Sequence, residues 1–289
     1  MRRATLIVNP MASRVTEERI ALVERELSGS FSVTTVRTER PMHAKELARD
    51  ADGDVLVVFG GDGVFNEAVN GLSRPVPLGF VPGGHTNVLP RALGLPRDPV
   101  TAARRIAAGR ERRISLGRVN GRRFAFSAGI GVDSEAVREI DALGRAGDGQ
   151  RPGDLTFARV VAGLLRRGYE PCLEVRGLGR AGLVLVSNDA VFTYAGRVPL
   201  RFSPQARFEL GLDVVAPERL DLRALLCLLP RLAAGRGLAG ARGVLTGHDL
   251  DRIEVVCDRP RPLQADGEDL GDVTEAVFEA ERNAVSVLV

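Results

Sequence analysis

Residues 55–67 read Val-Leu-Val-Val-Phe-Gly-Gly-Asp-Gly-Val-Phe-Asn-Glu. The five apolar residues at the start have the composition of a strand buried on both faces. Gly60-Gly61-Asp62-Gly63 stops that strand, and Val64–Leu72 resumes with helical composition. Glycines let the backbone approach a ligand closely and take positive φ, and the first turn of a helix offers unpaired N–H groups to an anion. Asp62 cannot bind phosphate by charge. It can face a Mg²⁺ that is shared with phosphate oxygens. On this stretch alone a second reading stays open, a tight turn with Asp62 as a helix N-cap.

Outward from this stretch the pattern repeats. Thr5-Leu-Ile-Val is a short apolar strand ending at Asn9-Pro10, and Leu78-Gly-Phe-Val is another, ending at Pro82-Gly83-Gly84. Thr16–Leu27, His43–Asp50 and Val100–Ala108 have helical composition, and Phe31–Arg37 alternates as a strand does. Strands alternating with helices in short units predict a parallel sheet covered on both faces. In open sheets of that kind ligands gather at the C-terminal ends of strands. Three polar, glycine- or proline-marked loops fall at three such ends, which points to a nucleotide site.

The pattern changes near residue 112. Arg113–Val119 and Arg122–Ser127 flank Asn120-Gly121, a strong hairpin signal. Cys172–Val175, Gly182–Ser187, Arg207–Val215 and Arg252–Cys257 are further strand candidates. Leu155–Arg167 and Leu220–Ala234 are the two helix candidates among them, and Gly144–Gly153 reads as a loop. The expected fold class is therefore α/β plus β, in two domains. Residues 1–112 make an α/β nucleotide-binding domain, completed by 275–289, and residues 113–274 make a β-rich, sandwich-like domain.

Composition narrows the function classes. The chain has 289 residues, 44% of them hydrophobic, and a formal net charge of +3. Its mean hydropathy is near zero. Lys45 is the only lysine, so arginine carries nearly all of the positive charge, and arginine heads suit phosphate or an anionic membrane surface. Nothing indicates a nucleic-acid partner. No stretch reaches the ~18 uninterrupted apolar residues of a spanning helix, and Cys172, Cys227 and Cys257 show no metal-ligand spacing. The expected setting is cytoplasmic. The two helix candidates at 155–167 and 222–232 each join an apolar stripe to arginines, a pattern shared by core-facing and interfacial helices.

These loops in this order resemble the diacylglycerol kinase family, which includes sphingosine and ceramide kinases. The likeness rests on Asn9-Pro10, on Gly60-Gly61-Asp62-Gly63 with trailing Asn66-Glu67, and on Pro82-Gly83-Gly84-His85-Thr86-Asn87. It continues in Val186-Ser-Asn188, Tyr194-Ala-Gly, Ser203-Pro-Gln-Ala, Gly211-Leu-Asp213 and Leu263-Gln-Ala-Asp-Gly-Glu-Asp. The resemblance implies ATP and Mg²⁺ in a cleft, with the phosphates against Gly60–Gly63 and Gly83–Asn87. It implies a diacylglycerol-like lipid acceptor met at the inner face of the membrane, and it leaves a homodimer open.

By motif position Asp266 would be the general base, with Glu268 assisting through metal or hydrogen-bond contacts. Gly267 between them would set both carboxylates on one side of an extended segment. The metal candidates are Asp62, Glu268 and Asp213, the last standing where bacterial members hold a structural Mg²⁺, with Asp133 a candidate for the same network. Val64 stands where the family has threonine, and Val88 where it has aspartate. Two alternatives stay open: an NAD kinase-like enzyme, and a nucleotide- or lipid-sensing homologue with weak turnover.

Overall fold

The structure is a computed structural model and describes residues 1–146, 154–195 and 198–289. The chain divides into two compact units, Met1–Leu116 with Arg282–Val289, and Gly117–Glu281.

The first unit alternates strands and helices: β1 (Arg2–Val8), α1 (Glu17–Ser28), β2 (Phe31–Arg37), α2 (His43–Asp50), β3 (Val55–Gly60), α3 (Asp62–Gly71), β4 (Leu78–Pro82), α4 (Val88–Ala92), α5 (Pro99–Ala107) and the start of β5 (Glu111–Val119). β1 pairs in parallel with β2 and β3, and β3 with β4. All six residues of β3 are buried, as a central strand with helices on both faces requires. Thr16 caps α1 by accepting the Arg19 N–H, and Ile20, Val23 and Leu27 form its buried stripe. Asp98 and Pro99 start α5 in the same manner. The register sets Val8 opposite Phe59 and Gly60 opposite Pro82. The ends of β1, β3 and β4 are therefore level, and the loops that follow them meet.

The second unit holds the end of β5, then β6 (Arg122–Phe124), β7 (Ser127–Ile130), α6 (Val132–Ala146), α7 (Asp154–Leu165), β8 (Leu173–Val175), β9 (Gly179–Ala181), β10 (Val184–Ser187), β11 (Thr193–Ala195), β12 (Val198–Leu200), β13 (Leu212–Pro217), α8 (Leu222–Ala233), β14 (Val244–Leu250), β15 (Arg252–Ala265) and most of β16 (Glu268–Leu288). Here the strands run antiparallel in the order β14–β13–β10–β7–β15–β16, with β8 attached to β15 and β9 to β8. One cluster of Val119, Phe124, Ile130, Val184, Val186, Val214, Leu263 and Phe278 fills the core over that sheet. The α/β plus β fold class holds.

Three expectations change. Residues 122–127 are not one strand, because Ala125 and Phe126 separate β6 from β7. A third helix, α6, occupies 132–146 and buries Val132, Ala136 and Ile140 along one side. That sparse i, i+4, i+8 spacing is masked in sequence by acidic and basic neighbours. The loop expected at 144–153 therefore begins as the last turn of α6, and its residues 147–153 lie outside the described ones, as does Gly196. The Asn120-Gly121 hairpin forms as read, with φ of 46° and 86° at the two turn residues and Val119 opposite Arg122. Among the described residues no helix is long and apolar enough to cross a membrane.

Candidate functional site

In the first unit the three strand-end loops are in direct contact. Asn9 begins a turn in which its Oδ1 accepts the Met11 N–H at 3.0 Å and its carbonyl the Ala12 N–H. Pro10 sits at the second turn position, where its fixed φ fits. The Gly83 N–H donates to the Gly60 carbonyl at 2.6 Å, and the Arg14 N–H to the Gly83 carbonyl at 2.9 Å. Glycine is required here for space. A Cβ on Gly84 would lie 2.8 Å from the Gly61 Cα, and one on Gly83 would lie 3.1 Å from the Gly60 Cα and 2.8 Å from Val15. The two glycine pairs thus cross backbone against backbone, and Gly63 completes the first turn of α3 beside them.

Asp62 has a task the sequence left undecided. Its Oδ2 accepts the Val88 N–H at 2.9 Å and its Oδ1 the Leu89 N–H at 3.2 Å. It caps α4, not its own helix, and so ties the glycine loop to the loop at 83–87. Asn87, at φ 51°, closes its own loop through both amide atoms, with Oδ1 accepting the Gly84 N–H and Nδ2 donating to the Gly84 carbonyl. His85 is exposed and Thr86 half-buried.

The remaining two loop candidates are employed in packing. The Glu67 oxygens accept the Met42 and Ala44 N–H groups at 3.1 Å each, supplying the cap that the left-handed Met42 cannot give α2. Asn66 is buried and accepts from the Asn70 side chain.

In the second unit Asp266-Gly267 is not part of an extended segment. It is the two-residue turn between β15 and β16, with Ala265 opposite Glu268 and φ of 51° and 76° at the turn residues. This corrects the expectation that alternate strand residues bring the two carboxylates to one face. Paired positive φ at Asp-Gly is instead a tight hairpin.

The Asp266 side chain turns inward and is only 5% exposed. Its Oδ2 accepts the Ala125 N–H at 2.6 Å, and its Oδ1 those of Phe126 and Ser127 at 3.0 and 3.2 Å. The break between β6 and β7 is what frees those N–H groups to point at it. Asn188 steadies the same break, its Nδ2 donating to the Ala125 carbonyl and its N–H to that of Phe126. Gln264 bridges outward: its Oε1 accepts the Gly267 N–H at 2.9 Å and its Nε2 donates to Asp133 at 2.6 Å. Desolvation pushes the Asp133 carboxyl up to about 6, with the Gln264 hydrogen bond opposing.

Glu268 is paired with Arg122, and Arg138 on α6 clamps Asp269 through two nitrogens at 2.8 and 3.0 Å. Both arginines fix the outgoing strand beside the corner. Neither was foreseen, nor were the three backbone donors around Asp266. Main-chain N–H groups carry no residue-type signal.

The metal candidates fare differently from one another. Asp213 is fully buried. Its Oδ1 lies 2.8 Å from His248 Nδ1 and accepts the Asp249 N–H, while its Oδ2 has no hydrogen-bond partner. Among the described residues no three His, Cys, Asp or Glu side chains stand together as a metal-binding group. A Mg²⁺ that arrives with a nucleotide needs only one or two carboxylates besides phosphate oxygens.

Residues 3–119 match the family described as the diacylglycerol kinase catalytic domain. A diacylglycerol kinase of Bacillus subtilis (strain 168) is 35% identical over 150 residues, which are 48% of this chain and 49% of that protein. The alignment thus spans about half the length of the curated relatives. A crystal structure of a diacylglycerol kinase from Bacillus anthracis superposes with a TM-score of 0.78 at 20% identity, covering 99% of this chain and 96% of that one. An NAD kinase from Archaeoglobus fulgidus in complex with ATP gives a TM-score of 0.51 at 13% identity, covering 99% and 93%. These two structures bear on the fold alone. The region that carries the crossed glycine loops, residues 3–119, is thus similar to the diacylglycerol kinase catalytic domain.

Proposed function

We propose that the protein is an ATP-dependent lipid kinase that phosphorylates the free hydroxyl of a neutral lipid, diacylglycerol first among them, giving phosphatidic acid. The observation that carries this reading is the crossing of Gly60-Gly61 with Gly83-Gly84, inside the region that matches the kinase family. Helix α3 starts at Asp62, directly after the Gly60-Gly61 side of that crossing, and the N–H groups of its first turn are the donors assigned to phosphate. The phosphates of ATP are assigned to Gly60–Gly63 and Gly83–Asn87, with Asn9 and Pro10 shaping the floor. Mg²⁺ bound with ATP would neutralise developing charge on the phosphate oxygens, with Asp62 as its protein contact.

Asp266 is assigned the proton of the lipid hydroxyl. The hydroxyl oxygen forms the new bond to the γ-phosphorus, the bond to the β-phosphate oxygen breaks, and ADP leaves. Three backbone donors hold that carboxylate in one place, so its orientation costs nothing at the moment of reaction. Glu268, held by Arg122, is a positioning residue for the same corner. We place the protein in the cytoplasm and at the inner membrane surface, where its substrate resides, and keep a homodimer as part of the proposal.

Purified protein offered radiolabelled ATP with diacylglycerol, NAD, sphingosine or ceramide tests the reading. Label in phosphatidic acid is the expected result, and label in NAD alone overturns it. A second reading, a nucleotide or lipid sensor with weak turnover, is favoured by one observation: both Asp62 oxygens already accept N–H groups from Val88 and Leu89. Binding of ATP·Mg²⁺ without label in any lipid of a broad panel would support it.

A further inference from the structure

Helices α7 and α8 look alike in sequence. Val160, Val161, Leu164 and Leu165 of α7 pack into one core cluster. Helix α8 sends Leu225, Leu228 and Leu232 inward, against Val215, Phe202 and Leu238 among others. Its opposite face is also apolar. Leu222, Leu226 and Leu229 are 43%, 57% and 44% exposed. They recur at i, i+4 and i+7, one stripe about two turns long. Ala233 and Cys227 are exposed with them. A surface helix of a lone domain normally turns polar residues to water, so three exposed leucines in a row mark a contact face.

The charges around the stripe choose its occupant. Arg223 lies on the helix beside Leu226, and Arg236 follows the C-terminal turn; both are exposed. Neither is ion-paired to a described residue, whereas Arg231 is spent on the carbonyls of Gly237 and Ala239. Within residues 219–240 the one carboxylate is that of the N-cap, Asp221, bonded to the Ala224 N–H. Apolar residues bordered by unpaired arginines are what an interfacial helix presents to anionic lipid. A second copy on the same face would set arginine against arginine.

We propose that the outward stripe of α8, Leu222, Leu226 and Leu229 with Arg223 and Arg236, docks the protein on an anionic lipid surface. The inference deepens the lipid-kinase reading and rests on it for motive, yet vesicle binding is measured without turnover. The test uses the full chain and flotation with phosphatidylcholine vesicles, with and without phosphatidylglycerol. Binding is expected to anionic vesicles, and Leu226→Gln with Leu229→Gln should weaken it roughly tenfold or more. Arg223→Gln should reduce the anionic preference by a few-fold. A fluorophore on Cys227, the exposed cysteine, should shift to the blue on vesicles.

The double variant should keep its circular-dichroism melt and its turnover of a short-chain, monomeric diacylglycerol. Equal binding to zwitterionic vesicles, binding unaltered by the double variant, or a solution dimer that the double variant dissociates would each overturn the inference. Loss of turnover on the short-chain lipid in the unmodified protein would instead count against the kinase reading.

Discussion

At Gly60-Gly61 and Gly83-Gly84 two strand-end loops touch through their α-carbons, whereas at Asp266 a buried side chain gathers three main-chain N–H groups. The first arrangement works by exclusion, because a Cβ on Gly83 or Gly84 would press on the backbone of the facing loop. The second works by recruitment, because the corner of the β15–β16 hairpin is held by what the carboxylate accepts. Exclusion sets backbone against backbone, and recruitment holds one carboxylate in a fixed place. Asp62 combines both habits: it accepts two N–H groups, and in doing so brings the excluded loops together.

The contrast can be broken first at its most tightly bonded point. Asp266→Ala strands three buried backbone donors, and we expect about 3–5 kcal/mol of lost stability in urea unfolding. Asp266→Asn keeps one acceptor and should lose about half as much. A loss below about 1 kcal/mol for the alanine variant would mean that the corner is held by something other than its carboxylate.

Next in size is Gly84→Ala, whose methyl meets the Gly61 Cα at 2.8 Å. About 1–3 kcal/mol of destabilisation should accompany weaker ATP binding by titration calorimetry. Gly163→Ala sharpens the point, since Gly163 lies in α7 with open space around it. There the same change should stabilise by about 0.5–1 kcal/mol.

The third prediction concerns pH. Asp133 has a folded-state pKa of about 6 against an ordinary value of 3.8. The folded protein therefore binds this proton more tightly than the unfolded chain does. Its contribution is most favourable below pH 3.8 and is lost as pH rises through 6. Asp133→Asn should be close to neutral at pH 4 and stabilising by about 1–3 kcal/mol at pH 8, measured as the difference between two urea midpoints. The smallest effect belongs to Glu268→Gln. Its partner Arg122 and Glu268 itself remain partly solvated, so a stability change of about 1 kcal/mol or less is expected.

The first unit was legible because its signals are local. The apolar run at 55–59, the glycines behind it and the Thr16 and Asp98 caps each act within a few residues, and the helices at 43–50 and 99–107 fall within a residue of where composition puts them. The task of Asp62 was not legible, since its partners are main-chain donors from another loop. In the second unit α6 hid behind alternating charges, and β13 begins at Leu212, not Arg207. Asp266-Gly267 carried a turn signal that the carboxylate reading displaced. Its burial depends on a break at Ala125-Phe126 far away in sequence. The use of α8 was left open for a different reason: an apolar stripe joined to arginines does not say which face of the helix the rest of the chain will cover.

The long strand β16 has a consequence for how the protein is made. Its final residues belong to the first unit, where Val287 lies beside Leu78 of β4 and the Val289 N–H donates to the Arg110 carbonyl. During synthesis the edge of β4 is laid down early and waits unpaired while the whole second unit is translated. That edge is an apolar parallel strand, the kind that invites other chains. The first unit is therefore the earlier to begin and the later to finish, and the interval between those two events is when the nascent chain is most exposed to aggregation.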